Sequence, residues 1–295
     1  MSSYDISVIW VNYHTSDMLK ASIASVVERT ELSCQLLVVD NASEPGLGEE
    51  LKALYGPRLQ FVGLPENVGF GGANNEGLRL AAGRYVWFLN PDTCLLNNAA
   101  DVLAAYLDGH PQVGAVGGNL FDAAGNPAHS YMRLFPSLRL ELVAMGGNGL
   151  ERLVLGKSAQ FNYTGQAMPV AYITGADLMV RRTVLEQTGG FDRRFFMYYE
   201  ETDLCRRISR AGHAVVSVPQ AEVCHYEGAS FKTNERRESM KAASRRYYYS
   251  KHLSFLERFF AIFVKRTNAA LRCLVFRWMR KKDKYEYWRL ILRYA

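Results

Sequence analysis

The chain lacks any pair of cysteines close enough to form a Cys-x-x-Cys motif. Its five cysteines, Cys34, Cys94, Cys205, Cys224 and Cys273, are scattered singly over 295 residues. That spacing excludes a thiolate zinc site and a disulfide framework, and favours a reducing cytoplasm. Long hydrophobic runs are missing too: no uninterrupted apolar segment approaches the ~18 residues that span a bilayer. The opening "MSSYDISVIWVNYH" reaches its apolar run without a basic segment, and no small-residue cleavage site follows, so no signal peptide is expected. Nothing repeats at a fixed period, and no segment is of low complexity.

What is present is an uneven charge. The net charge is +6. From Lys232 to the end there are 18 Lys/Arg against 5 Asp/Glu, whereas residues 1–231 carry 17 against 24. An acidic body with a basic tail offers two surfaces to two kinds of partner. The chain is long enough to bury a sizeable core in one large domain with an appendage, divided here as 1–231 and 232–295.

Apolar β-rich runs alternate with helical patterns. "ISVIWV" (6–11), "CQLLVVD" (34–40), "LQFVGL" (59–64) and "RYVWFLN" (84–90) read as strands. The spacing predicts helices over 16–29 behind a Ser16 cap, over 48–55, over 72–83 closed by Gly83, and over 98–109. Such alternation means a mostly parallel sheet with helices on both faces, whose ligands lie beyond the carboxyl ends of the strands. Asp40, Asn67 and Asp92 each follow a strand and should border one crevice. Residues 118–166 lose this pattern apart from a hairpin signal at "FDAAGNP". Order returns with "YITGADLMVRR", a helix opened by a Thr183/Glu186 capping box and stopped at Gly189-Gly190, an acidic helix, strand "HAVVSVP" and segment "AEVCHYEG".

Four places carry chemistry. Asp92 ends an apolar strand, and Pro91 stiffens its approach; a hard carboxylate there suits Mg2+ or Mn2+. "ENVGFGGANNEG" (66–77) places Gly69 and Gly71 between a strand and a helix. The third glycine of the dinucleotide fingerprint would fall at Asn74, so that match fails. What remains is close backbone approach to a nucleotide, with Asn74 and Asn75 as polar contacts. In "FFMYYEETDLCRR" (195–207), Glu200, Glu201 and Asp203 open a helix behind five aromatic or apolar residues. Partial desolvation raises carboxylate pKa values and makes better bases, while Asp203 has Arg206 or Arg207 at ion-pairing distance along the helix. His225, in "VCHYEG", completes a metal shell if it meets Asp92 in space.

"SVIWVNYH", "LLVVDNAS", "ENVGFGGANNEG", "FLNPDTCL", "YITGADLMVRR" and "GGFDRRFFMYYEETDLCRR" together resemble successive motifs of the family 2 inverting glycosyltransferases, in particular the rhamnosyltransferase-like bacterial branch. The resemblance runs over residues 5–230. It implies the GT-A fold, a nucleotide-diphosphate sugar donor and a divalent metal, Mn2+ or Mg2+. By position it implies that Asp40 binds the nucleobase or ribose, with Asn67, Gly69, Gly71 and Asn74 beside it. Asn90 and Asp92 stand at the Asp-x-Asp position, with Asp92 the metal ligand and His225 its second. Gly175 falls in a donor-site motif. Glu201 holds the catalytic-base position, usually aspartate, with Glu200 as the alternative. The implied acceptor is a hydroxyl of a growing, lipid-linked bacterial surface glycan.

Two rivals stand beside this. A sugar-phosphate nucleotidyltransferase would want a glycine- and basic-rich loop after the first strand, and "VNYHTSDM" has none. A non-catalytic glycan-binding module would not need Asp92, Glu201 and His225 together. The tail "LSFLERFFAIFVKRTNAALRCLVFRWMRKK" (253–282) mixes bulky apolar residues with cations at helical spacing. Either it packs as a helical cap, or it meets an anionic membrane surface, the choice favoured here. No nucleic-acid motif accompanies the charge. The expected location is cytoplasmic, peripheral at the inner face of the cytoplasmic membrane.

Overall fold

The computed structural model describes residues 4–226 and 235–295. The expected boundary between residues 231 and 232 lies outside them. The described chain divides into two compact units, one of residues 4–133, 158–196 and 200–226, the other of 134–157, 197–199 and 235–295.

The first unit is built on strands β1 (Tyr4–Asn12), β2 (Cys34–Asp40), β3 (Leu59–Gly63), β4 (Gly83–Leu89), β5 (Thr93–Leu95) and β6 (Val113–Phe121), followed by the short β7 (Tyr131–Met132), β8 (Met168–Pro169) and β9 (Tyr172–Ile173), then β10 (Asp177–Arg181) and β11 (Ala214–His225). Its helices are α1 (Ser16–Arg29), α2 (Leu47–Tyr55), α3 (Phe70–Leu78) and α4 (Ala99–Gly109), with α7 (Arg182–Thr188) and α8 (Glu200–Arg210) after the excursion to the second unit. The main sheet runs β3-β2-β1-β4-β10-β6-β11-β5, with β8 beside β11. β3, β2, β1 and β4 are mutually parallel, and β6 and β11 are parallel. β10 enters antiparallel between β4 and β6.

The apolar runs follow from burial on both faces. Ile6, Val8 and Trp10 of β1 join a core with α1, α2 and α4, while Val11 and Val39 turn the other way onto Ala73 of α3. The register sets the level of the strand ends. Asn12 pairs with Asp40 and Asp40 with Gly63; Ile9 pairs with Phe88, so the chain after β4 reaches Pro91 level with Asn12. Asp40, Asn67 and Asp92 therefore leave the sheet at one edge, as the alternation predicts.

Several boundaries differ from expectation. The third helix spans Phe70–Leu78, not 72–83, and Gly83 opens β4. Ser7 and Gln35 side chains capture the Ala82 and Gly83 amides, pulling the chain out of the helix and into the sheet. Ser16 is the first helical residue rather than the cap; Thr15 precedes it, and the Ser16 amide is satisfied by Glu44. The Thr183/Glu186 capping box is not made, because β10 runs to Arg181 and the helix starts one residue earlier. "HAVVSVP" and "AEVCHYEG" belong to one strand, β11, with a register shift between Ser217 and Glu222. Pro219 in that bulge has no N–H for a ladder bond. The hairpin signal holds: Asp122 and Asn126 close a turn with Gly125 at φ +79°. Asp203 pairs with Arg207 at 2.8 Å, the ion pair that the helical spacing allowed.

The second unit contains α5 (Leu138–Met145), α6 (Gly147–Leu155), α9 (Glu235–His252), α10 (Phe255–Trp278) and α11 (Lys282–Tyr294). It is helical, as the tail's pattern predicts. α5 and α6 fall within the stretch that carries no pattern. Glu141 is its buried polar centre, accepting from Tyr249 Oη at 2.8 Å and facing Lys265 Nζ at 3.4 Å. Burial lowers the Lys265 pKa against the opposing pull of Glu141. On α10, Leu256, Phe260, Phe263, Leu271, Leu274 and Trp278 recur at steps of three, four and eight and are all exposed, Trp278 at 86%. Among the described residues, no helix is long and apolar enough to cross a membrane.

Candidate active site

Asp40 closes β2 and is almost fully buried. Its carboxylate accepts from Asn12 Nδ2 (2.7 Å), Ser43 Oγ (2.6 Å) and the amides of Ser43 and Glu44. Burial works to raise its pKa, but these donors outweigh burial and hold it below the ordinary range. The sequence reading passed over Asn41. Its side chain donates to Asn67 Oδ1 at 2.9 Å and accepts from the Val68 amide, while Asn67 Oδ1 also accepts from the Gly69 amide. Asn41 and Asn67 thus latch the turn that leads into α3.

Gly69 has φ +80°, and a Cβ there would collide with the Phe196 carbonyl oxygen; that same oxygen accepts the Phe70 amide at 3.0 Å. A Cβ on Gly71 would stand 3.0 Å from Phe191 Cβ and 3.4 Å from Glu200 Cβ. These glycines bring α3 against the loop that carries the acids. Asn74 and Asn75, the expected polar contacts, both bond within the protein. Asn74 is buried and donates back to the Phe70 carbonyl, and Asn75 holds both the amide and the carbonyl of Phe191. Asn75 thus uses both ends of its amide on protein, whereas Asn74 uses its donor on its own helix.

The opposite end is built where β4 stops. The Asn90 amide donates to the Ala176 carbonyl at 3.0 Å, and the Asn90 carbonyl accepts from Thr93 Oγ1. Asp92 and His225, far apart in sequence, meet: β5 and β11 pair with Thr93 opposite His225, and Asp92 Oδ1 lies 3.2 Å from His225 Nε2. Asn90 Nδ2 is 3.5 Å from the same nitrogen, and Asn90 Oδ1 is buried with no hydrogen-bond partner. Among the described residues no group of three or more His, Cys, Asp and Glu converges. The Asp92 carboxylate, the His225 imidazole and the Asn90 amide group do converge, and carboxylate with imidazole is a hard, mixed N/O donor set.

The turn that leads into β10 links them. Gly175 precedes Ala176, and a Cβ on it would stand 3.3 Å from the Phe70 ring and 3.9 Å from Glu201 Cβ. Glu200 and Glu201 open α8 beside an aromatic wall in which Phe191 packs edge-on to Phe88 and Phe70. Burial pushes both carboxyls above the ordinary range, as desolvation predicts. Glu200 goes further, because Glu201 adds like-charge repulsion; Glu201 is partly relieved by Thr202 Oγ1 at 3.1 Å. Glu200 is 4% exposed and its Oε2 has no partner, whereas Glu201 is half-buried. Asp177 also escaped the sequence reading. Fully buried at the start of β10, it accepts from Trp87 Nε1 (2.7 Å) and the Gly118 amide (2.6 Å), and burial pushes it up to about 6. An acid heading an apolar strand, "DLMV", was the available signal.

The chain matches the model of Glycosyl transferase family 2 over residues 7–187. It is 30% identical over 237 residues to an N-acetylglucosaminyl-diphospho-decaprenol L-rhamnosyltransferase of Mycobacterium tuberculosis, covering 76% of this chain and 77% of that one. It is 29% identical over 166 residues to rhamnosyltransferase WbbL of Escherichia coli, covering 54% and 61%. The mannosyltransferase PcManGT of Pyrobaculum calidifontis, solved with GDP-Man and Mn2+, superposes with a TM-score of 0.59 at 16% identity, over 99% of this chain and 86% of that one. GalNAc-T7, solved with UDP, GalNAc and Mn2+, gives 0.60 at 15% identity, over 83% of this chain and 50% of that one.

Substituting Gly69 by Ala tests the junction of α3 with the acidic loop. It should destabilise the fold by about 1–3 kcal/mol through the left-handed φ and the lost approach to Phe196. A urea midpoint equal to wild type would show that the turn is free to relax.

Proposed function

The chain belongs to glycosyl transferase family 2, a GT-A-fold enzyme, and from that premise we propose that it transfers L-rhamnose or a related hexose from a nucleoside-diphosphate donor to a hydroxyl of a polyprenyl-diphosphate-linked glycan, with inversion. The observation that carries the site assignment is the convergence of Asn90, Asp92 and His225 at the end of β4, beside the Gly175–Ala176 turn that also approaches Glu201. The similarity to the mycobacterial rhamnosyltransferase supports both the donor sugar and the lipid-linked acceptor.

Asp40, through its hold on Asn12 and Ser43, shapes the nucleoside end, with Asn67, Gly69 and Gly71 beside it. Asp92 and His225 would hold a divalent cation, Mn2+ or Mg2+, with the orphaned amide oxygen of Asn90 as a further donor. When bound, such an ion neutralises charge on the departing diphosphate. Gly175 leaves the space beside Glu201 open to donor and acceptor. Glu201 takes the proton from the acceptor hydroxyl as its oxygen bonds to the anomeric carbon and the bond to the diphosphate breaks. Of the two acids, burial keeps Glu200 protonated to higher pH, so Glu201, the more exposed, is the one ionised and available as base.

The exposed apolar face of α10 supports the second surface. It is about 36 Å long and is bordered by exposed Arg266, Arg277, Arg280, Lys281, Lys282 and Lys284. Bulky apolar residues with cations at their edge suit an anionic bilayer surface, each cation worth about 1 kcal/mol near it. We assign residues 1–231 to transfer and residues 232–295 to placing the enzyme at the inner face of the cytoplasmic membrane, where a polyprenyl-linked acceptor resides.

Glu201→Gln should lower transfer by about 10²–10⁴ and leave donor binding intact, while Glu200→Gln, which mimics the protonated acid, should retain activity. Because the base acts when ionised and its pKa is raised, kcat/KM should climb with pH, its half-point lying above the ordinary glutamate value of 4.5. Equal turnover in Glu201→Gln and wild type would remove Glu201 from the role. In flotation with vesicles containing phosphatidylglycerol, the full chain should rise with the lipid, and the variant with Phe260, Phe263 and Trp278 all changed to Glu should remain below. Equal flotation of the two proteins would defeat the lipid assignment.

A further inference from the structure

No two cysteines stand close along the chain, yet the fold sets two of them side by side. Cys94 of β5 and Cys224 of β11 are direct partners in an antiparallel ladder, and both are free thiols. The neighbouring bonds fix the kind of pair. The Leu96 amide donates to the Glu222 carbonyl and the Tyr226 amide to the Asp92 carbonyl, each at 2.9 Å. Hydrogen-bonded pairs alternate with open ones along such a ladder, so Cys94 and Cys224 occupy the hydrogen-bonded pair between those two. Their Cα atoms then stand about 5.5 Å apart, within the span that a disulfide bridges.

Directly opposed residues project to the same face of a sheet, and Tyr226, two residues beyond Cys224, shares that face. The Tyr226 hydroxyl lies within hydrogen-bonding reach of both thiols. Cys224 is 6% exposed and its Sγ donates to the Asp122 carbonyl at 3.7 Å, whereas Cys94 is half-buried. A small reagent therefore meets Cys94 first, with Cys224 behind it. Cys94 follows Asp92 by two residues and Cys224 immediately precedes His225, all within the first compact unit.

We propose that Cys94 and Cys224 are a reversible redox site: a disulfide between them draws β5 onto β11 and displaces Asp92 from His225, which lowers transfer. The step is an exchange with a low-molecular-weight disulfide. Cys94 Sγ, as thiolate, attacks one sulfur of the reagent, the reagent's S–S bond breaks, and one thiol leaves. Cys224 Sγ then attacks Cys94 Sγ, and the second thiol leaves. Two protein thiols are oxidised by two electrons, the reagent is reduced to two thiols, and these carry off the two protons. Opposed Cβ atoms are about 5 Å apart, while those of a relaxed disulfide are about 3.8 Å apart. The strand ends that carry Asp92 and His225 take up the difference, and the strain leaves the bond readily reduced, a switch and not a staple. The effect on transfer rests on Asp92 and His225 as the cation site; the disulfide itself does not.

The test uses the full chain with oxidised glutathione at about pH 8.5, because burial pushes both thiols up and slows exchange at neutral pH. Peptide mapping by mass spectrometry, Mn2+ affinity by electron paramagnetic resonance and nucleoside diphosphate release are read before and after dithiothreitol. A linked peptide pair containing Cys94 and Cys224 should appear. Mn2+ binding should weaken by about tenfold and release should fall by about 10- to 100-fold, with all three changes reversed by dithiothreitol. Cys94→Ser, and separately Cys224→Ala, should keep Mn2+ affinity and turnover through the same treatment. Glutathione attached to Cys94 with no linked peptide overturns the proposal. So does a linked peptide with Mn2+ affinity and turnover unchanged, or a loss of turnover in either variant equal to that of wild type. A reduced wild type that neither binds Mn2+ nor releases nucleoside diphosphate sinks the site assignment, whereas the linked peptide alone decides the disulfide.

Discussion

The hydrogen bond from the Asn90 amide to the Ala176 carbonyl seats β10 against β4, and the rest of the site depends on that pairing. Parallel strands alone would deliver Asp40 and Asp92 to one edge and nothing more. The antiparallel entry of β10 lays Gly175–Ala176 alongside the end of β4, with Asn90 on one flank and Glu201 Cβ within reach of the other. Asp177 pins this arrangement from beneath by tying Trp87 of β4 to Gly118 of β6. A buried acid with two internal donors is costly unless both bonds are kept, which makes the junction specific as well as tight.

The site retains groups that the fold leaves unsatisfied. Asn90 Oδ1 and Glu200 Oε2 are buried without partners. Each represents a desolvation cost of about 1–3 kcal/mol that a purely structural design would remove. Under the proposed mechanism one would offer a cation an oxygen ligand, and the other would give the base a neutral neighbour. Stability is recovered away from the chemistry. Arg207 spans Asp203 and the carbonyls of Thr188, Gly189 and Gly190, and the apolar strands are covered on both faces.

Much of this was legible in the residues, for reasons that differ from place to place. Apolar runs ending in Asp40 and Asn90-Pro91-Asp92 declare buried parallel strands and a polar edge, because burial on both faces leaves no room for alternation. The desolvation of Glu200 and Glu201 could be read from the aromatic residues ahead of them. The meeting of Asp92 with His225 could only be conditional, since it needs β5 to find β11 across most of the chain. Asn75 shows the limit of local pattern: its place in the first turns of a helix was right, but its amide is taken up by the distant Phe191 segment. The early end of α3 depended on Ser7 and Gln35. Periodicity carries none of these.

The central claim is that Asn90, Asp92 and His225 form one cation site serving a nucleoside diphosphate. Electron paramagnetic resonance of Mn2+ measures it without requiring turnover. Wild-type protein should bind Mn2+ more tightly when nucleoside diphosphate is present, and His225→Ala or Asp92→Asn should weaken that binding by about tenfold or more while the protein stays folded. Mn2+ affinity that is the same in wild type and both variants would contradict the account.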